Sequence, residues 1–233
     1  VENVIRDPHI QIRQQMNQTT TFSEDTIASI SFQTLLDDVI FVNIDNANDP
    51  LENGTNEHPF DRMAEGIDAT ASPLYDTMYV YAGSQVYREN LFVGHDVTMI
   101  GEGMPLGTDG GFGGGQAPRV QGVTIPNGPM PFVGPTLFVD GNAGARNVSI
   151  MGFDFMGHSS ICADEPSSLM VVHANNVKNF EFAYNTVHDG IIGLAATYDQ
   201  MAGFTADIHD NTFTRAGLGV GAMVDDASGV LYV

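Results

Sequence analysis

The stretch "TLFVDGNAGARNVSIMGFDF" (residues 136–155) aligns without a gap on "SLMVVHANNVKNFEFAYNTV" (residues 168–187), an offset of 32 residues (168 − 136 = 32). Apolar, basic and asparagine positions are kept between the two copies. A repeat of this length indicates a structural unit that recurs along the chain. The alignment pairs Leu137 with Leu169, Val139 with Val171, Arg146 with Lys178, Asn147 with Asn179, and Ile150 with Phe182.

Shorter copies continue the repeat toward the end of the sequence. Asn185-Thr186-Val187 recurs as Asn211-Thr212-Phe213, an offset of 26 (211 − 185 = 26), and the last copy runs into "GVLYV" (229–233). Each copy alternates apolar and polar residues in short runs separated by Gly, Asn, Asp or Ala, which is typical of β-strands joined by turns.

Units of this size are typical of a parallel β-helix, in which each unit stacks its strands on those of the next. Stacking predicts inward apolar columns. An antiparallel sandwich is the alternative, because it also contains short alternating strands, but it gives no reason for a gapless offset. The predicted columns are Val148, Phe180 and Ala206, and beside them Ile150, Phe182 and Ile208.

Upstream residues fit the same organisation. Residues 76–103 read as three short strands, and the stretch "NEHPFDRMAEGIDATAS" (56–72) predicts a short helix near 59–69 that caps the first unit. A Gly- and Pro-rich excursion near 103–135 interrupts the repeats, and residues 1–38 are interpreted as an N-terminal extension or linker preceding the β-helix of residues 39–233. The candidate inward residues are Met78, Val80, Leu91, Val93, Val97 and Met99.

Charge limits the partners of the chain. With 29 acidic and 8 basic residues and a formal charge of −21, the chain repels nucleic acid and anionic membranes. No apolar run is long enough for a membrane span. Acidic oxygens are calcium ligands, so Asp45, Asp49 and Glu52 are a calcium hypothesis; an Asx-rich turn is its alternative.

No residue is assigned to catalysis. Proton abstraction by a lyase needs a base beside groups, such as Ca²⁺ held by carboxylates, that neutralise an acidic substrate, but the candidate bases Arg146 and Lys178 occupy equivalent, solvated turns. Zinc needs converging ligands, whereas His173, His188 and His209 align in different columns. The sequence "HDG" (188–190) is matched by "TRA" (214–216), which favours a unit boundary with His188 and Asp189 outside the core and Gly190 opening a strand.

A family pattern is recognisable in two segments, "FVNIDNANDPLENGTNEHPFDRMAEGID" (41–68) and "DTMYVYAGSQVYRENLFVGHDVTMIGEG" (76–103). Together they resemble the entry of secreted right-handed parallel β-helix proteins. They look especially like the passenger regions of bacterial outer-surface proteins of the intimin-like or autotransporter type. The resemblance implies export, display at a cell surface, and structural or adhesive work more often than catalysis.

We therefore predict an all-β protein, a right-handed parallel β-helix with a short N-terminal capping helix. It is expected to be an extracellular or cell-surface structural or adhesive module that assembles into a fibre or larger surface structure. Its expected partners are other copies of itself, neighbouring surface proteins or glycans, without membrane insertion. A lyase or hydrolase acting on an acidic polysaccharide is the alternative. Residues 230–233 are predicted to pair with another chain or with an open edge.

Overall fold

Parallel β-strands dominate the computed structural model, which describes residues 39–105, 114–123, 134–157, 170–199, 202–225 and 228–233. The predicted N-terminal extension of residues 1–38 lies outside this part. The elements are α1 (Met63–Thr70) and the strands β1 (Val39–Val42), β2 (Thr77–Val80), β3 (Tyr87–Arg88), β4 (Leu91–Val93), β5 (Val97–Gly101), β6 (Arg119–Gln121), β7 (Leu137–Asp140), β8 (Asn147–Met151), β9 (Asp154–Met156), β10 (Met170–Asn175), β11 (Asn179–Ala183), β12 (Thr186–Asp199), β13 (Ala202–His209), β14 (Thr212–Asp225) and β15 (Ser228–Tyr232).

The strands form two sheets. One has the order β1-β2-β5-β8-β11-β13-β15, and the other has the order β3-β6-β9-β12-β10-β7-β4 with β14 joined to β12. The strand pairs from β2 to β15 whose register is defined are parallel. A β-rich class with parallel sheets is therefore confirmed.

Buried apolar columns run across the first sheet, as the repeat predicts. Phe180 lies opposite Val148 on one side and Ala206 on the other, while Phe182 lies between Ile150 and Ile208. All of these side chains are buried in one hydrophobic core. Removing them from water is the main favourable contribution to the stability of this sheet. The six upstream residues predicted to face inward are buried as well.

The second sheet departs from the predicted register. Leu137 lies opposite Val172 and Val139 opposite Ala174, an offset of 35 (172 − 137 = 35), so the predicted pairing of Val139 with Val171 is wrong. The turn after β7 has six residues (141–146) and the turn after β10 has three (176–178), which accounts for the difference. Gly141 lets the two turns meet, because a Cβ there would lie 1.8 Å from the Asn176 carbonyl oxygen.

Helix α1 begins where a distant carboxylate meets its first amides. Glu89 Oε1 accepts a hydrogen bond from Met63 N (2.9 Å) and Oε2 one from Ala64 N (3.1 Å). A carboxylate at a helix N-terminus offsets the partial positive charge there. Phe60 is extended and pairs with β1. The helix therefore begins at Met63 rather than near residue 59, as predicted from the sequence. No helix in the described part of the chain is long and apolar enough to cross a membrane.

Two asparagines join neighbouring strands at equivalent turns. Asn185 is buried; its Oδ1 accepts from Phe153 N and its Nδ2 donates to the Ile150 carbonyl, both at 2.9 Å. Asn211 repeats this role one unit later, accepting from Asn185 N at 2.9 Å. The predicted equivalence of these asparagines is confirmed. Each satisfies backbone groups that the turn leaves without strand partners.

Strands β14 and β15 lie at one margin of the sheets. In the described residues β14 pairs with β12 and β15 with β13, and no strand pairs on their other sides. We call these unpaired sides the β14–β15 edge. The pairing of residues 230–233 with another chain or with an open edge stays a prediction. The exposed large apolar residues of β14 and β15 are Leu218, Met223, Val224, Val230 and Tyr232.

The Asn185 side chain provides a direct test of the turn. We expect Asn185→Ala to lower the free energy of unfolding by about 2 to 4 kcal/mol, because it leaves a buried amide and a buried carbonyl without partners. Chemical denaturation measures the change. Asn179→Ala, at an exposed strand position, is the control and is expected to cost less than about 1 kcal/mol. Equal effects of the two substitutions would contradict the role given to Asn185.

Candidate functional site

A cluster of charged side chains spans three neighbouring strands of the second sheet. Asp154 lies on β9, His188 and Asp189 on β12, and Arg215 on β14. His188 stands in register with Met156 on one side and Thr214 on the other. Phe155 and Val187 point toward the core, so alternation places Asp154 and His188 on the opposite face. Asp189 and Arg215 follow Val187 and Phe213 by two residues, and a positive φ at both residues interrupts the alternation there.

Both ring nitrogens of His188 face carboxylates. Nε2 lies 3.0 Å from Asp154 Oδ1, an ion-pair distance without hydrogen-bond geometry, since that oxygen has no hydrogen-bond partner in the described residues. Nδ1 lies 2.6 Å from Asp189 Oδ2. His188 is 8% exposed, so the sequence-based interpretation of an outside residue is wrong as to exposure. The neighbouring strands enclose it.

Arg215 closes the cluster from β14. Its Nε and Nη2 donate to the two oxygens of Asp189 at 2.5 and 2.7 Å, a bidentate pair. Nη2 also lies 2.9 Å from His188 Nδ1. The Arg215 guanidinium, followed by the hydrogen bond from His188, lowers the pKa of Asp189 to about 2. In turn, Asp189 raises the pKa of Arg215.

The backbone adopts the same unusual conformation at both partners. Asp189 has φ 62° and Arg215 has φ 49°, the left-handed region that costs a non-glycine residue about 1 kcal/mol or more. The two residues are equivalent by the 26-residue offset (215 − 189 = 26). β12 therefore passes through this bend without a break, and Gly190 lies inside β12 rather than at the start of a strand.

The cluster is better suited to joining strands than to catalysis. A general base must accept a proton, yet the Arg215 guanidinium is held charged by Asp189. Both His188 nitrogens face protein groups. The sequence contained one signal for the cluster: the offset that sets "HDG" opposite "TRA" also sets Asp189 opposite Arg215. Asp154 has no counterpart in that alignment and was missed.

The residues of the calcium hypothesis have different surroundings. Asp45 accepts from Ser84 N and Ser84 Oγ at 2.8 and 2.6 Å. Asp49 lies 2.7 Å from His58 Nδ1 and accepts from Leu51 N at 2.9 Å. The bond from Leu51 N to Asp49, two residues apart, matches the Asx-turn alternative, whereas the bonds of Asp45 to Ser84 join two distant loops. The structure does not bring Asp45, Asp49 and Glu52 into one group of converging oxygens, and calcium binding remains a prediction.

Glu52 instead converges with Asp61 and Glu65. Their carboxylate oxygens lie within 4.8 Å of one another, the one such group in the described ranges. Burial raises the pKa of Glu65, and the charges of Glu52 and Asp61 raise it further. Glu65 Oε2 is shielded from solvent and has no hydrogen-bond partner among described residues. Oxygen donors of this kind suit Ca²⁺, and without a cation they repel one another.

A cavity of about 420 Å³ lies beside this carboxylate group. Two arginines and two acidic residues are among the residues that line it, so the formal charges of the lining sum to zero. None of Asp45, Asp49 and Glu52 lines it. The lining residues are Ile44, Ala47, Asp61, Arg62, Gln85, Val86, Arg88 and Glu89.

The other residues considered from the sequence as a catalytic base or as zinc ligands lie apart from the His188 cluster. Arg146 and Lys178 are exposed at equivalent turns, as predicted: Arg146 O accepts from Asn179 N, and Lys178 O accepts from Thr205 N, both at 2.7 Å. His173 stacks on Phe138 and its Nε2 lies 3.0 Å from Thr197 Oγ1. These residues do not approach the His188 cluster as ligands of a common metal ion.

Acid titration tests the Asp189–Arg215 pair. We expect Asp189→Asn to lower the free energy of unfolding at pH 7 by about 1 to 2 kcal/mol. The folded-state pKa of Asp189 is depressed, so its contribution is present above the ordinary value of 3.8 and is lost as pH falls toward about 2. Denaturation at a series of pH values measures this, with exposed Asp225→Asn as control. A difference that persists unchanged at pH 2 would contradict the assignment.

Replacing Glu65 should change the free energy of unfolding at pH 7 in the opposite direction. Its raised pKa means that its contribution is present below the ordinary value of 4.5 and is lost as pH rises through the folded-state value. We expect Glu65→Gln to raise the free energy of unfolding at pH 7 by up to about 1 kcal/mol, with no gain at pH 3. Thermal denaturation in a chelator measures the shift. Glu57→Gln, at an exposed position, serves as control; an equal gain from it would contradict local repulsion.

Comparison of the chain with protein-family models, with curated proteins and with solved structures finds no significant match in any of the three. The resemblance of residues 41–103 to secreted β-helix proteins therefore remains a prediction from motifs. What the chain does has to be argued from its own geometry, and two features bear on this: the enclosed cluster around His188 and the unpaired β14–β15 edge.

Proposed function

We propose that the two parallel sheets belong to one right-handed parallel β-helix, in which the chain returns once per coil to each sheet. The support lies in the pairing of strands at recurring offsets, in the apolar columns around Phe180 and Phe182, and in the asparagines at equivalent turns. Right-handed crossovers are the rule for parallel strands of one sheet. In this fold β14 and β15 belong to the last described coils.

We further propose that the chain is a structural or adhesive module that joins a further β-coil at the β14–β15 edge. The observation that carries this proposal is that, among the described strands, none pairs with the outer sides of β14 and β15. Unpaired strand edges present a row of backbone donors and acceptors, and they pair readily with another strand. Protection by a bulge, proline or charged side chain is the usual alternative. β15 contains neither proline nor charge, and the one irregularity in its pairing with β13 lies at its start, beside Ala202 and Phe204.

Low charge at this edge favours association with a β-rich partner. Residues 212–233 contain one basic and two acidic residues, a formal charge of −1 (1 − 2 = −1), within a chain of formal charge −21. Apolar side chains of both strands are exposed here, among them Met223 (68%) and Tyr232 (57%). Burying such side chains on association is favourable, and little charge has to be desolvated at the same time.

The proposal includes an extracellular or cell-surface location. Its support is the motif resemblance of residues 41–103 and the strongly acidic composition, which favours solubility and disfavours contact with nucleic acid. The expected partners are further copies of the chain, neighbouring surface proteins or glycans.

The enzymatic alternative has less support. A lyase or hydrolase acting on an acidic polysaccharide would need the charged cluster of Asp154, His188, Asp189 and Arg215 to reach substrate. Within that cluster both His188 nitrogens and the Arg215 guanidinium already face carboxylates. This pattern favours a structural role for the cluster, as a link between the coils that the proposed module stacks.

Light scattering coupled to size-exclusion chromatography tests whether the chain associates through the β14–β15 edge. We expect the 233-residue chain to associate, and the double variant Val230→Lys/Tyr232→Lys to elute as a monomer with an unchanged melting temperature, because lysines on an unpaired strand edge disfavour its pairing with another strand. The control Leu51→Lys/Leu74→Lys removes exposed apolar residues outside β14 and β15 and should still associate.

Two results would contradict the proposal: a wild-type chain that stays monomeric at every concentration, or two double variants that behave alike. Incubation with acidic polysaccharides completes the test. Release of unsaturated sugars would support the enzymatic alternative, and no release is expected.

A further inference from the structure

The cavity beside the Glu52 carboxylate group is large enough for a small molecule. Its volume of about 420 Å³ falls in the range of about 300 to 1,000 Å³ that is typical of ligand sites. Ile44, Ala47 and Val86 supply its apolar surface, and Gln85 supplies an amide. Apolar surface with a few polar groups around it is the usual composition of a site for a small molecule.

Two of the eight basic residues of the chain line this cavity. Arg88, on β3, is exposed, and its guanidinium has neither a hydrogen bond nor an ion pair with the described residues. Arg62 directly precedes α1; its Nε lies 4.0 Å from Glu89 Oε2, and its side chain is 61% exposed. Both guanidinium groups therefore have donors available to a ligand, and the planar fork of arginine is suited to a carboxylate.

The two carboxylates of the lining differ in whether they already have partners. Both oxygens of Glu89 accept hydrogen bonds from amides at the start of α1, at 2.9 and 3.1 Å. The Asp61 carboxylate accepts no hydrogen bond from the described part of the chain, and one of its oxygens lies within 4.8 Å of carboxylate oxygens of Glu52 and Glu65. An ammonium group at Asp61 would reduce the repulsion between these like charges.

The charge of the whole chain favours one type of ligand over others. A formal charge of −21 repels a ligand with a net negative charge as it approaches, whereas a zwitterion has no net charge. A simple amine is attracted, but it leaves the two guanidinium groups without a partner. Opposite charges come from the consecutive residues Asp61 and Arg62, which suits a ligand whose ammonium and carboxylate are attached to the same carbon atom.

We infer that this cavity binds a small zwitterion of the α-amino acid class with an apolar side chain. Arg62 and Arg88 bind the carboxylate of the ligand, and Asp61 binds its ammonium group. The ligand's side chain lies against Ile44 and Val86. The inference adds a small-molecule site to the proposed structural or adhesive module, and it does not depend on association at the β14–β15 edge.

Three probes of similar shape test the site: L-leucine, isocaproate, which lacks the ammonium group, and isoamylamine, which lacks the carboxylate. Isothermal titration calorimetry of the 233-residue chain measures their affinities. We expect L-leucine to bind, and each of the other two probes to bind at least about tenfold more weakly, because a hydrogen bond to a charged group contributes that much or more.

Substitutions then assign each charge of the ligand to its partner. Arg88→Gln should weaken the binding of L-leucine by about tenfold or more and leave that of isoamylamine unchanged, whereas Asp61→Asn should weaken both and leave isocaproate unchanged. Arg62→Gln is a second test of the carboxylate partner. Arg146→Gln, at an exposed position outside the cavity, is the control and should change no affinity. The melting temperature of each variant checks that it is folded.

Several results would overturn the inference without bearing on the proposed function. Equal binding of L-leucine and isocaproate would indicate a site for anions instead of a zwitterion. An absence of saturable binding, L-leucine binding that survives both Arg88→Gln and Asp61→Asn, or an equal loss in Arg88→Gln and Arg146→Gln would also overturn it. Conversely, a chain that binds L-leucine as expected but stays monomeric in light scattering would contradict the proposed association and leave this site intact.

Discussion

Parallel backbone pairing between repeats is the constraint on which the rest of this structure depends. The strands of the first sheet have at most eight residues, and strands of this length are marginal unless a neighbour pairs with each side and a core covers one face. Pairing fixes the register, and the register places Val148, Phe180 and Ala206 in one buried column. The hydrophobic core is thus a consequence of stacking equivalent residues rather than of packing unlike elements.

Stacking also brings polar side chains of neighbouring repeats into contact. Asparagine is suited to this arrangement because its amide can both donate and accept, as Asn185 does in a buried turn. Charged residues need an opposite charge at the equivalent position, and Arg215 supplies one for Asp189. A chain with so few basic residues can meet this need in few places. Glu52, Asp61 and Glu65 converge, and burial, followed by the charges of Glu52 and Asp61, raises the pKa of Glu65 despite the nearby Arg62.

Much of the first sheet could be predicted from the sequence because its inward residues recur at fixed offsets. The prediction failed at β7 and β10, where a turn longer by three residues shifts the register without changing the apolar alternation. It also failed for His188, since alternation indicates which face a side chain points to and not whether neighbouring side chains enclose it. The Glu52 group escaped because its members lie on a loop and a helix that no repeat relates.

The same pairing rule applies on the side of β1 that faces away from β2. Residues 53–60 are irregular, yet they satisfy the backbone of β1, with Gly54 at φ 78° in a position where a Cβ would meet the Phe60 ring. Strands β14 and β15 have no such segment among the described residues. Repulsion between acidic chains acts over a Debye length, about 8 Å at physiological ionic strength, whereas strand pairing acts only at contact. The proposed association at the β14–β15 edge would therefore depend on how far salt screens the remaining surface.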